Sequence, residues 1–512
     1  MASPVWLIDI EAGTTWRFAT RRIVYAGSVY ADGLETSGSF GDALSFSVPS
    51  ESVMPITISA QAVPLLDTED ISMGATATVR YWRDPDGDDP VVVLSGPLED
   101  PEYGGPDEPL TASVREVPWD DHGKIPQATA RINDDTWPNR DTLPDIEDEF
   151  YPLVIGEPGV ASAGVYGSPA YYVLRGATDY VLIAQHPVLA STVTIHDETG
   201  PSSASLSVLT VLDGLGRSVS VANASAWASL DAGDELWAVW DGGGGLANPE
   251  APSDLLTGAG DVIEYILHRS TIRVDWGRLR AAKMRLNAYR IDTYIQADPG
   301  ERVTPWDWIV DQLLPILPVS VRTGPGGIYL TVFDPGTPNS SARGALEEGR
   351  NCDRVSAVSV VGTSDVANDY SLSYAPRANK DKGSLVVRVT GSQETLDAYS
   401  GAVASSICVE SVRRYGVISR EVSTSAVYDT ATATKILMAM AARDSLPSRE
   451  VVYVLDDGSL TDLEPGDTVS VTDSSLGWRD RTLYVWSVRV ADEREVTLRM
   501  WHQAGRDYRS NV

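Results

Sequence analysis

The side chains best suited to moving a proton or holding a metal near neutral pH are five histidines: His122, His186, His196, His268 and His502. A helical zinc site needs two of them one turn apart on one face, and no pair has the i, i+4 spacing. Each therefore reads as an ordinary surface or turn residue. Cys352 and Cys408 form no Cys-x-x-Cys element and no disulfide framework, so they read as free buried thiols. A serine nucleophile on a sharp turn would show as Gly-x-Ser-x-Gly, and a phosphate cradle as Gly-x-x-x-x-Gly-Lys; neither occurs. The run Asp241-Gly242-Gly243-Gly244-Gly245 leads into Leu-Ala-Asn-Pro, with no lysine to reach a phosphate, and reads as a flexible exit from a domain.

Asp84-Pro85-Asp86-Gly87-Asp88-Asp89 has the flavour of a calcium loop. It lacks the twelfth-position glutamate and the regular spacing of an EF-hand, so it reads as a solvated acidic hairpin tip. Carboxylate pairs suited to sugar hydrolysis remain open in a chain with 72 acidic residues. None stands beside a tryptophan platform in a recognisable motif, and Trp306 and Trp308 read as core and interface. No catalytic, cofactor-binding or metal-ligating residue is assigned, and no cofactor is expected.

The elements that would have to position any site are mostly strands. In 512 residues, 43 Gly and 31 Pro favour short strands and many turns over long helices. At ~100–150 residues per domain the length predicts roughly three to five domains. Fourteen Trp and 21 Tyr against five Phe suit half-buried sheet faces and interfaces, because both carry a polar handle. The net charge of −32 should repel free duplex DNA, which needs clustered Lys and Arg. It reads either as solubility in a salty or acid-rich setting, or as a surface that must not stick to nucleic acid. The opening MASPVWLIDIEAGTTWRF has no basic segment before an apolar run, so no signal peptide is expected, and no stretch is long enough for a membrane span.

The fold class expected is mainly β with minor α+β: several barrel-like or sandwich β domains and a small α/β unit. Residues 1–117 read as an N-terminal barrel-like β domain. Residues 118–150 are polar, broken by proline and end in the acidic run 145–149, and read as a linker or arm. Residues 151–248 read as a β domain. Residues 249–350 read as a small α/β domain, with helical spacing at 261–268 and 277–287. Its best helix start is Thr304-Pro305-Trp306-Asp307, with Thr as cap, Pro first and Asp in the first turn. A hairpin follows over 319–334, around Gly324-Pro325-Gly326-Gly327. Residues 351–512 read as a C-terminal barrel-like β domain with one helix near 430–446, whose Ala433, Leu437 and Met440 share a face and should anchor it on the C-terminal barrel.

The stretch 463–501 predicts three strands with one apolar face, with turns at Leu463–Asp467 and Asp492–Arg494 and alternation at Val469 and Val471 and at Val496, Leu498 and Met500. Residues 74–116 repeat this design, and Gly74 precedes Val79 as Gly466 precedes Val471. Either this is the likeness of any two β-meanders, or one barrel-like domain occurs at both ends.

The order of parts resembles the tail-tip or baseplate hub proteins of tailed bacteriophages and gene transfer agents. Asn368, Tyr370, Leu372 and Tyr374 stand where that family has N-x-V/Y-x-V-x-Y. Ser411, Tyr415 and Gly416 match its S-x-x-x-YG. Leu463, Gly466, Asp467, Val469, Val471 and Thr472 match L-x-x-GD-x-V-x-V-T. The resemblance covers roughly residues 250–505 and includes no fused peptidase or lysozyme module.

The resemblance implies a structural virion protein, not an enzyme, assembled in the host cytoplasm into a homotrimer. Two barrel-like domains per chain would alternate around a ring, joining a six-fold tail tube to a three-fold tip. Partners implied are the distal tail or tail-tube protein, the tape-measure protein and a central fibre or tip protein. DNA would pass transiently through the channel without sequence-specific binding. The channel wall is expected to be acidic or neutral, with Asp86–Asp89 or Asp473–Asp480 as candidate tips. The alternatives are a tail-associated polysaccharide-binding or depolymerising protein and, against the missing signal peptide, a secreted acidic adhesin.

Overall fold

Alternation of apolar and polar residues builds most of this chain, because successive strand side chains face opposite ways. The computed structural model describes residues 5–35, 40–43, 53–62, 75–82, 85, 89–103, 108–115, 121–138, 146–160, 165–175, 178–197, 202–225, 227, 235–240, 243–297, 301–324, 326–333, 342–376, 384–456, 463–490 and 494–501. Strands hold 47% of these residues and helices 16%, which makes the chain mainly β with α+β parts, as expected.

The N-terminal unit is a nine-stranded sheet around one core of Ile8, Ile10, Phe18, Met54, Ile58, Val79 and Val114. The sheet curls back on itself through a single stretch of chain. Ser28–Asp32 pairs with Thr14–Ala19, and Leu34–Glu35, directly after it, pairs with Val53–Ile58 at the opposite end of the strand order. Gly33 makes this corner at φ 141°, and a Cβ there would stand 2.4 Å from that of Ala62.

Residues 168–239 close a six-stranded barrel, whose strands include Ser218–Asn223. Residues 118–150 are not a free linker where described: they are fastened to the units on either side. Trp137 is 1% exposed and donates to the Tyr151 hydroxyl at 2.8 Å. Gly214 of the barrel donates to the Thr136 carbonyl at 2.6 Å. Asp121 accepts from the backbone N–H of Trp306, at the start of a helix, at 3.0 Å. The polarity that suggested a linker is hydrogen-bonding capacity spent inside the fold. Nor is the glycine run a flexible exit where described. Gly245 lies so close to Gly156 that a Cβ would meet its carbonyl oxygen at 2.5 Å. Glycine is there for close backbone approach.

The α/β region holds the predicted helices, at Ala259–Leu267, Trp276–Leu286 and Pro305–Gln312. Thr304 caps the last by accepting from Asp307 N at 3.0 Å. The hairpin follows as Val319–Gly324 and Gly327–Val332, with Pro325 outside the described residues.

Among the described residues, 351–512 hold three α-helices rather than one: Gln393–Ala398, Ser406–Tyr415 and Thr430–Asp444. They flank a four-stranded sheet ordered Val403–Ala404, Leu385–Thr390, Asp369–Tyr374, Ser419–Ser423. The short helices have too few turns to show a clear apolar stripe in the sequence. Ala433, Leu437 and Met440 are buried as expected. The apolar face of their helix packs on this four-stranded sheet, however, and not into the core of the C-terminal barrel. The pattern reveals a buried face, but its partner is set by chain topology. No helix among the described residues is long and apolar enough to cross a membrane.

The C-terminal unit is a sheet whose meander is Thr468–Asp473, Trp478–Val490 and Arg494–Met500, the three strands predicted.

Candidate assembly joint

The two end units are built alike. In the first, Thr76–Trp82, Val91–Tyr103 and Leu110–Arg115 form a meander, and Val53–Ile58 pairs on its last strand. In the second, the terminal meander carries Ser448–Leu455 on its last strand. Both middle strands have 13 residues, and each shows a register shift against both neighbours. A bulge bends and twists a strand, so matching bulges give matching curvature. The first strands differ: Val5–Ala12 pairs antiparallel with the N-terminal meander, and Gly344–Glu347 parallel with the C-terminal one.

At the same topological position, between the strand pairing on the fourth strand and the fourth strand itself, each unit has an insertion. In the C-terminal unit it is the four-stranded sheet and its helices. In the N-terminal unit it spans residues 36–52, whose described part is the strand Phe40–Ala43, a short arm. Phe40–Ala43 of that arm pairs antiparallel with Ser487–Val490, on the edge left bare where Thr468–Asp473 ends. One end unit thereby adds a strand to the other. Replacing both Gly41 and Asp42 by proline should remove this ladder, whichever of the two N–H groups bonds the neighbouring strand. Amide hydrogen exchange within Ser487–Val490 is expected to accelerate at least about tenfold; unchanged exchange would mean the arm does not hold that edge.

Two of the three motifs carrying the hub resemblance, the one at Asn368–Tyr374 and the one at Ser411–Gly416, meet in space. Asn368 is fully buried and uses both ends of its amide. Nδ2 donates to Ser411 Oγ at 3.0 Å and to the Gly416 carbonyl at 2.8 Å, and Oδ1 accepts from Ile418 N at 2.8 Å. Asparagine is suited to this because it donates and accepts in one plane. The arrangement ties Asp369–Tyr374 to the end of Ser406–Tyr415, where Gly416 turns at φ 75°. Tyr370 and Tyr374 are buried, and their hydroxyls reach the Ala367 carbonyl at 2.7 Å and Thr430 Oγ1 at 2.7 Å. These residues form a structural joint in which hydrogen-bonding groups are consumed internally.

A second junction joins the α/β region to the C-terminal sheet. Phe333, Tyr484 and Trp501 cluster edge-on, with centroids 4.7–5.7 Å apart, and Arg499 lies over Trp486 at 3.5 Å. Trp501 Nε1 donates to the Arg443 carbonyl at 3.1 Å. Arg322 Nη1 reaches the Pro465 carbonyl at 2.8 Å in the interior, beside the turn of the third motif. The abundance of Trp signalled interfaces; which rings meet depends on long-range topology.

The histidines do not converge. His186 is buried, not at the surface: its Nε2 accepts from Val154 N at 3.2 Å, and burial pushes its pKa down to about 4, so it is neutral. His196 stacks on Tyr166 and His268 on Trp276. His502 lies outside the described residues. Cys352 and Cys408 are buried and free, and burial raises both thiols. Among the described residues no group of three or more His, Cys, Asp or Glu is placed to hold a metal ion.

The acidic tips divide. Residues 86–88 lie outside the described residues, and Asp480 is exposed. Asp473, proposed with it as a solvent-facing tip, is wholly buried. It accepts from Tyr453 Oη and Arg354 Nε, each at 3.0 Å, from Ser475 Oγ at 2.6 Å and from Leu476 N at 3.2 Å. Burial by itself would raise its pKa. The hydrogen bonds and the Arg354 charge outweigh that and hold it below the usual carboxylate range.

No protein-family model and no curated protein matches the chain. Among solved structures it is similar to a 43 kDa tail protein of prophage MuSo2 from Shewanella oneidensis, with 10% identity over 97% of this chain and 98% of that one, at a TM-score of 0.35. It is similar to a tail protein from Neisseria meningitidis MC58, with 10% identity over 98% and 97%, at 0.36. It is also similar to a chain in the virion of a native gene transfer agent particle, with 11% identity over 72% and 88%, at 0.42.

Proposed function

We propose that the chain is a structural protein of a phage-type tail tip, the hub of its baseplate, and that its role is assembly rather than catalysis. The observation that carries this reading is the strand that one end unit adds to its structural counterpart at the other end of the chain. A chain with two like units, one capping an edge of the other, can close into a ring. Three copies would present six similar positions to a six-fold tube and three-fold symmetry to a tip. Closure would also cover strand edges that otherwise invite aggregation. The partners are then a tail-tube or distal tail protein, the tape-measure protein and a central tip or fibre protein. Localisation is the virion, and DNA meets only the lumen. In that lumen a polyanion slides best past carboxylates or neutral groups, and exposed Asp480 is a candidate for the wall.

Light scattering of the purified chain and the symmetry of an assembled particle in electron microscopy test the proposal. The expected result is a ring-shaped trimer with an acidic or neutral lumen. A six-copy ring, a monomer within assembled tails, or a predominantly positive lumen would reject it.

A further inference from the structure

The edge of the N-terminal sheet is a hairpin, Ile23–Tyr25 with Ser28–Asp32, turned at Ala26 and Gly27 with φ of 49° and 77°. Its two faces differ in kind. Ile23, Tyr25 and Tyr30 point inward. Tyr25 meets Trp82 at 5.3 Å, and Tyr30 donates to Asp9 at 2.9 Å. On the outward face, Val24 and Val29 are cross-strand partners, 60% and 55% exposed. Outward positions of a solvated edge hairpin ordinarily carry polar residues, and edge strands are ordinarily blunted by lysine, proline or a bulge. Ile23–Tyr25 has none of these, and no strand among the described residues pairs on its far side.

The charge there is also reversed. Residues 13–31 carry Arg17, Arg21 and Arg22 and no Asp or Glu, in a chain of net charge −32. Arg17 leans on Asp9 at 3.2 Å, while Arg21 and Arg22 stand exposed beside the hairpin.

We propose that the Val24–Val29 face of this hairpin docks a second copy of the chain, its arginines meeting an acidic face of that copy. The proposal rests on the trimeric reading above and names the surface that serves it. The occupant is a second copy because the patch is basic and apolar where the rest of the chain is acidic. Burial of the two valines supplies the attraction, and the arginines supply orientation and partner choice.

The test compares purified full-length wild type with Val24→Asp/Val29→Asp by light scattering over a concentration series. It is paired with a photoreactive residue at position 29 in a mixture of isotopically heavy and light copies. The expected result is a trimer for wild type, association weakened at least about tenfold in the variant, and crosslinks joining heavy to light copies. Thermal melting should be nearly unchanged, since both positions are exposed. An unchanged trimer in the variant, or crosslinks confined within single copies, overturns the docking edge while leaving the trimer standing. A wild-type chain that is monomeric at every concentration overturns both.

Discussion

Replacing Asp473 by alanine is expected to destabilise the C-terminal unit by about 3–5 kcal/mol, the range for breaking a buried charged pair from one side. The side chain is wholly buried, and it organises the chain reversal between Thr468–Asp473 and Trp478–Val490. Its loss leaves the Tyr453 hydroxyl without the acceptor it has at 3.0 Å and Arg354, in a largely enclosed position, without its counter-charge. The pH dependence has a definite sign. Asp473 is held below the usual carboxylate range, so its contribution is fully present above the ordinary aspartate pKa of about 3.9 and is lost as pH falls through the lower folded value. Wild type should therefore lose stability in acid more steeply than Asp473→Asn. Denaturant unfolding at pH 7 and at pH 3 reads both effects. A loss under about 1 kcal/mol at pH 7 would show that water replaces the carboxylate at no great cost.

Leu437→Ala should cost about 2–5 kcal/mol, the range for emptying a fully buried leucine site. Leu437 is 0% exposed, among Ala433, Ile436 and Ala441 on the inner face of Thr430–Asp444. The effect should fall on the four-stranded sheet and the α/β core it shares, so hydrogen exchange in Asp369–Tyr374 and Leu385–Thr390 should quicken before that in the terminal meander. The opposite order would mean that the helix packs on the terminal unit instead. A melting temperature equal to wild type would show that the face is not packed at all.

The sequence determined those features that depend on near neighbours. Thr304-Pro305 predicts a helix start because cap and proline act on the turn they begin, and Thr304 makes that cap. Alternation at Val469, Val471, Val496, Leu498 and Met500 predicts strands with one apolar face; the first four side chains are buried and Met500 is half-buried against them. Gly and Pro placed the turns because they act on their own backbone angles. The repeated meander could be seen for the same reason: its turns and alternation are local and occur twice.

Tertiary structure alone decided what each face meets. Asp473 looked like a solvated tip because an aspartate beside a Gly-Trp loop normally is one. Tyr453 and Arg354, 20 and 119 residues away, bury it. Residues 118–150 read as a linker because their polar groups have no evident partners in the local sequence; partners for Thr136 and Asp121 lie on the barrel and on the helix at Pro305–Gln312. The arm at Phe40–Ala43 has no local signal for its strand, since its hydrogen bonds go to residues more than 440 positions further along the chain. A strand edge is satisfied by backbone groups that every residue except proline carries, so composition and period say little about which edge a segment will take. That choice is made by which edges are left bare once the local elements have packed.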